Sequence, residues 1–124
     1  TCEPAWILNS DWTAEAAAQD SRDLLRGDDR PTAIVAASDE MAIGVRESAR
    51  RLGFSVPGDL SVIGIDDYLL SEVLGLTTVR QDVAAQGRAA AELLLRALLD
   101  DDEPTDEVVL PTELIVREST GPLS

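Results

Sequence analysis

An α/β fold built on a parallel sheet is what this sequence predicts, and three observations predict it. Short apolar runs of strand length alternate along the chain with longer segments of helical periodicity. The run 33–37 has the length of a buried strand, and the run 60–65 is rich in β-branched residues. Each ends abruptly in polar residues, at Ser38-Asp39 and at Asp66-Asp67. Strands that alternate with amphipathic helices are parallel and joined by right-handed crossovers, with the helices covering the sheet.

The elements follow in order. An apolar opening at 5–8 ends at Asn9-Ser10-Asp11. A helix is expected over 13–26, with Thr13 as its cap, Glu15 near its positive end and Gly27 after its last turn. A turn at 28–31 leads into the first strand, 33–37. The next helix, 40–52, carries Ala42, Val45, Ala49 and Leu52 on one face and stops at Gly53. Pro57-Gly58 signals a turn before the second strand. A short helical stretch at 68–74 closes at Gly75, and a third strand is expected at 76–79. The segment 83–99 has the strongest helical pattern, and an acidic turn follows at 100–106. Strands at 108–110 and 114–116 are separated by Pro111, and 118–124 reads as a polar tail.

Composition narrows the function. The chain has 124 residues, enough for one domain or part of a larger one, and 44% of them are hydrophobic. The formal net charge is −14, and the ten basic residues are all Arg and scattered. Nucleic-acid affinity needs a basic face, and none can be assembled here. An anionic membrane surface is disfavoured for the same reason. The single cysteine, Cys2, allows no internal disulfide, as fits a reducing cytoplasm. No run is long and apolar enough to span a bilayer, and no secretory signal is visible.

Chemistry is expected at the carboxyl ends of the strands, where open parallel sheets bind ligands. If the first two strands are neighbours, Ser38-Asp39 and Asp66-Asp67 share one edge of the sheet. Hydroxyl and carboxylate groups there suit a ligand rich in hydroxyls, because charge-assisted hydrogen bonds are the strong ones. Each residue also has a plainer role. Asp39 precedes a helix and reads first as its cap, and Ser38 serves equally as cap or ligand contact. Asp66 and Asp67 could open the short helix, but neither has a clear capping partner, which favours a ligand role for Asp66. Trp12 and Trp6 read first as packing residues.

Catalysis finds little support, so no enzymatic activity and no cofactor are expected. Histidine, the usual general base, is absent, and so is the lysine needed for a Schiff base or a phosphate loop. No G-x-S-x-G elbow occurs. The acid pairs Asp39-Glu40 and Asp66-Asp67 could hold Mg²⁺, so an acid-dependent metal enzyme is a competing reading.

The strand ends also carry a resemblance. PTAIVAASDEMAIGVRESARRLGFSVPGDLSVIGIDDY (31–68) is similar to the central signature of the lactose/galactose-repressor family of bacterial transcriptional regulators. LTTVRQDV (76–83), GRAAAELLLRALL (87–99) and VVLPTELIVREST (108–120) continue the pattern in order. NSDWTAEAAAQDSRDLL (9–25) resembles the segment before the signature. The ordered set covers nearly the whole chain.

The resemblance implies an incomplete lobe of a three-layer α/β/α fold like that of periplasmic sugar-binding proteins. Residues 1 to about 80 would belong to the second lobe of an effector-sensing core. Residues 83–114 would cross to a first lobe, and 115–120 would return. A helix-turn-helix, a hinge and the first strand and helix of the second lobe are not expected within this chain. The apolar faces of 83–99 and 108–116 would then be exposed, which favours self-association.

Site residues transfer one at a time under the resemblance. Trp12 matches an aromatic that stacks on ligand, and Ser38 falls where Asn is common. Asp66 matches the acid of a G-x-D signature that holds ligand hydroxyls, and Gln81 matches a polar position near the crossover. Ile43, Arg46, Glu47 and Arg50, with Leu69 and Leu70 nearby, match a dimerisation surface. The implied partners are a sugar-like effector and a second copy of the chain, with operator DNA reached only through a separate domain. The implied location is the cytoplasm. The alternative is a sugar-binding protein of a transport system, which would share the fold.

Overall fold

The computed structural model describes residues 3–99 and 107–122. Cys2 and the acidic turn at 100–106 lie outside them. The chain divides into two compact units, one formed by Thr1–Arg80 with Leu114–Ser124, the other by Gln81–Glu113.

The larger unit opens with a 3₁₀ turn at Pro4–Trp6, followed by α1 (Ala14–Arg26), β1 (Ala33–Val35), α2 (Asp39–Arg51), β2 (Ser61–Asp66), α3 (Leu69–Val73) and β3 (Thr77–Gln81). β1 pairs with β2 and β2 with β3, both in parallel, with Ile34 opposite Val62 and Asp66 opposite Arg80. β4 (Thr112–Ile115) completes the order β1-β2-β3-β4.

Local chemistry accounts for these boundaries. Thr13 caps α1 by accepting from the Ala16 amide at 3.2 Å. Ser38 caps α2 by accepting from the Met41 amide at 3.2 Å. Asp39 and Glu40 then lie in the first turn of α2 and Arg50 and Arg51 in its last, each sign favourable to the helix dipole.

The core is small-residue chemistry. Ala17, Leu25, Ala36, Ala42, Val45, Ala49, Leu60, Val62 and Leu76 form one buried cluster, with Ile34, Met41, Ile43 and Phe54 packed on it. Ala42, Val45 and Ala49 present the apolar face of α2 that the sequence predicts. Small residues let backbones approach closely. A Cβ at Gly44 would stand 2.0 Å from the Ala14 carbonyl oxygen, so glycine permits the α1–α2 crossing. A Cβ at Gly64 would stand 2.2 Å from an Asp39 carboxylate oxygen, so β2 can lie close under the start of α2. On the opposite face of the sheet, Val35 is 73% exposed.

Closing residues stitch the strands together. Ser119 is buried; its hydroxyl donates to the Val62 carbonyl at 2.6 Å and accepts from the Thr77 amide at 2.8 Å. The Val62 amide in turn donates to the Ser119 carbonyl at 2.8 Å.

In the smaller unit, α4 (Val83–Leu99) opens on Asp82, whose carboxylate accepts from the Ala85 amide at 2.8 Å. No residue of α4 is buried, and Val83, Leu94, Leu95, Leu98 and Leu99 are exposed.

Three expectations are corrected. The stretch 108–110 forms no strand, and the strand beyond Pro111 begins at Thr112 rather than 114, since proline cannot donate to a ladder and the strand starts after it. The third strand runs to Gln81, two residues further than its apolar pattern, because backbone pairing continues after side chains turn polar. Asp39 is not the cap of α2; that role is Ser38's.

Candidate functional site

Parallel pairing of β1, β2 and β3 brings their carboxyl ends to one edge of the sheet, so Ser38 and Asp66 emerge on the same rim. Their loops abut, because the Asp39 carboxylate accepts from the Tyr68 amide at 2.8 Å. The start of α1 joins them: the Ala14 amide donates to the Glu40 carboxylate at 3.4 Å. Trp12, two residues before Ala14, is 69% exposed. Gln81 is the last residue of β3, and its side-chain oxygen accepts from Nε2 of the Gln86 side chain at 3.1 Å.

Asp39 is the hub beneath this rim. It is 1% exposed, and its two carboxylate oxygens accept from the Tyr68 amide, from the Ser71 hydroxyl at 2.5 Å and from the Thr78 hydroxyl at 2.5 Å. One side chain on α2 thereby ties down α3 and β3. A buried carboxylate is tolerable only with such partners.

Asp66 and Asp67 both have positive φ, at 114° and 55°. Asparagine and aspartate are the side chains that enter this region most readily outside glycine, yet two in succession carry strain. The turn is held from several sides. The Asp67 amide donates to the Thr78 hydroxyl at 3.2 Å, and the Asp67 carboxylate accepts from Arg80 at 2.7 Å and Arg117 at 2.8 Å. Arg117 also donates to the Leu76 carbonyl at 2.8 Å. Burial pushes the Asp67 carboxyl up, but the hydrogen bonds and charges of Arg117 and Arg80 outweigh it and hold it below the ordinary carboxylate range. Asp66 itself is exposed.

These contacts bear on metal binding. Asp39 and Asp67 are committed to protein donors, so neither acid pair is arranged as a shared ligand set. Among the described residues no group of three or more His, Cys, Asp or Glu side chains is placed to hold a metal ion.

The α2–α3 surface carries the other group of predicted residues. Ile43, Arg46, Glu47 and Arg50 line a shallow groove with Phe54, Val56 and Leu74. Arg46 donates to the Leu74 carbonyl at 2.5 Å, and burial lowers its pKa against the opposing charge of Glu118. Glu47 accepts from Arg50 and Arg51, each at 2.7 Å, and those hydrogen bonds pull its carboxyl down to about 2. Such exposed pairs contribute little stability. Leu69 is 85% and Val73 80% exposed, and Leu70 is also exposed.

A hollow of about 540 Å³ lies elsewhere. It is mostly apolar, lies beside β1 and is lined by Trp6, Ile7, Leu24, Ile34, Val35 and Met41 among others.

Arg80, Arg117, Thr78 and Ser71 were not singled out by the sequence reading. Arg117 follows the apolar run 114–116 and precedes the polar residues 118–120, so no local signal marked it as a partly buried ion-pair partner.

A parallel α/β unit with a polar rim and two strained acids at the end of β2 has the architecture in which open parallel sheets place small-molecule sites. A family model described as a periplasmic binding protein-like domain matches residues 1–120. This chain belongs to that family, in the form carried by regulators of the lactose-repressor (LacI) type.

The regulator MalR of Streptomyces coelicolor is 43% identical over 98% of this chain and 35% of its own length. A LacI-family regulator from Mycobacterium smegmatis is 40% identical with a TM-score of 0.87, over 98% of this chain and 47% of that one. A LacI-family regulator from Arthrobacter sp. FB24, solved in complex with lactose, is 37% identical with a TM-score of 0.79, over 90% of this chain and 43% of that one. The chain thus spans about a third of the curated relatives it matches. No helix among the described residues is long and apolar enough to cross a membrane.

Proposed function

We propose that this chain is part of the effector-sensing core of a bacterial transcriptional regulator. Residues 1 to about 80 and the returning segment contribute one lobe, and 83–114 packs on a second lobe. The lobe binds a sugar or sugar-like effector through Asp66, with Ser38, Trp12 and Gln81 around it. Binding, not catalysis, is its role, in the cytoplasm. Operator DNA is engaged by a helix-turn-helix elsewhere in the regulator. The exposed Asp66, presented at the sheet edge with φ 114°, carries the reading, because strained polar residues cluster at ligand sites. The apolar hollow beside β1 suits the strand and helix that such a lobe adds there. The transport-protein alternative is disfavoured by the relatives named above, which are regulators.

Isothermal titration of a sugar panel that includes lactose tests it. A protein carrying both lobes is expected to bind one sugar, and Asp66→Ala to weaken that binding by roughly 10- to 100-fold, the scale of one charge-assisted hydrogen bond. This chain alone should bind weakly, since it supplies only one wall. Micromolar affinity for the chain alone, or undiminished binding by Asp66→Ala, contradicts the proposal.

The α2–α3 surface serves as the dimer face, with Ile43, Arg46, Glu47 and Arg50 beside Leu69 and Leu70. The exposed apolar side chains of α3 support this reading. Light scattering on Leu69→Glu/Val73→Glu is expected to show monomer where the parent shows dimer. An unchanged mass would place self-association on another surface.

A further inference from the structure

We infer that Asp67 is a positioning residue that joins the ligand-facing Asp66 to strand β3, through which the chain leaves the larger unit, and to the segment 114–119, through which it re-enters. The inference rests on the proposed ligand role of Asp66 and deepens it. The chain leaves this unit after Arg80 and re-enters it at Leu114. Arg80 is the last residue before the exit, and Arg117 lies three residues past the return. Both guanidinium groups close on one carboxylate, that of Asp67, at 2.7 and 2.8 Å. That carboxylate is one peptide unit from Asp66.

The arrangement is buried enough to hold. The Asp67 and Arg117 side chains are 12% and 15% exposed. Arg117 is fixed at its other prong by the Leu76 carbonyl, and its amide donates to the Thr77 hydroxyl at 2.9 Å. The Asp67 amide is fixed by Thr78. Positive φ at Asp66 is thus held by a neighbour that cannot move without moving β3 and the 114–119 segment. A ligand that shifts Asp66 pulls on β3 and on the returning segment at once. Coupling of this kind needs a contiguous chain of packed polar contacts, and here each link is a named hydrogen bond.

Two substitutions at Asp67 separate the ion pairs from the backbone. Asn enters the left-handed region readily, and Gly does so without a Cβ, so Asp67→Asn and Asp67→Gly both permit φ near 55° while removing the charge. Hydrogen exchange on the ligand-free chain is expected to quicken at least tenfold together at 77–81 and 114–119 in both variants. The three-bond amide–α-proton coupling of Asp66, small at φ 114°, is expected to rise as the residue relaxes towards extended backbone. A merely structural loss would quicken exchange throughout and leave that coupling unchanged.

Unchanged exchange in the two crossing segments, or quickening confined to 66–68, overturns the inference. That outcome is independent of sugar binding by Asp66→Ala, so failure of the ligand reading and failure of the tie are read separately.

Discussion

Asp39→Ala is expected to destabilise the larger unit by about 3 kcal/mol, most of a small domain's margin. The carboxylate is buried and satisfies three donors on two other elements. Alanine leaves the Tyr68 amide and the Ser71 and Thr78 hydroxyls facing a void. The two hydroxyls can rotate to new acceptors, but the amide cannot. Asp39→Asn keeps one oxygen for that amide and offers its NH₂ to the rotated hydroxyls, so its cost should be less than half as large. Urea unfolding followed by circular dichroism reads both midpoints. Equal midpoints for Asp39→Ala and the parent would mean that water or rearrangement replaces the hub.

Gly44→Ala is expected to cost about 2 kcal/mol, although alanine is the better helix former by about 1 kcal/mol. The new methyl would meet the Ala14 carbonyl oxygen, carbon and Cα at 2.0, 2.8 and 2.9 Å, all backbone atoms of α1. Backbone cannot rotate away as a flexible side chain can, so α1 must slide. Because Thr13 and Trp12 lie at that end of α1, the same substitution should displace Trp12 from the rim. Thermal unfolding gives the stability change, and Trp fluorescence reports the displacement. A stabilised Gly44→Ala would show that the α1–α2 crossing has slack.

Most elements were legible in the sequence because their signals are local. Thr13 caps α1 and Ser38 caps α2 by bonding amides three residues on. The buried face of α2 follows from apolar spacing alone. Parallel order followed from alternation of strand and helix, and with it the placement of Ser38 and Asp66 on one edge. The stretch before Pro111 misled because an apolar run shows only that a residue can be buried, not that it has a strand to pair with.

The site was legible by position and illegible by role. Asp39 and Asp67 look like interchangeable acids in sequence, each beside another acid. Tertiary structure separated them: Asp39 is sealed under three donors, Asp67 is held between two arginines, and the neighbouring Asp66 is exposed. Those partners come from 13 to 50 residues away along the chain. Sequence alone determined the order of elements, the acidic surface and the rim's residue types, because caps, periodicity and charge act within a few residues. Only the folded chain decided which carboxylate is buried, which is held by two arginines and which is exposed, because burial and ion pairing depend on neighbours that chain proximity does not specify.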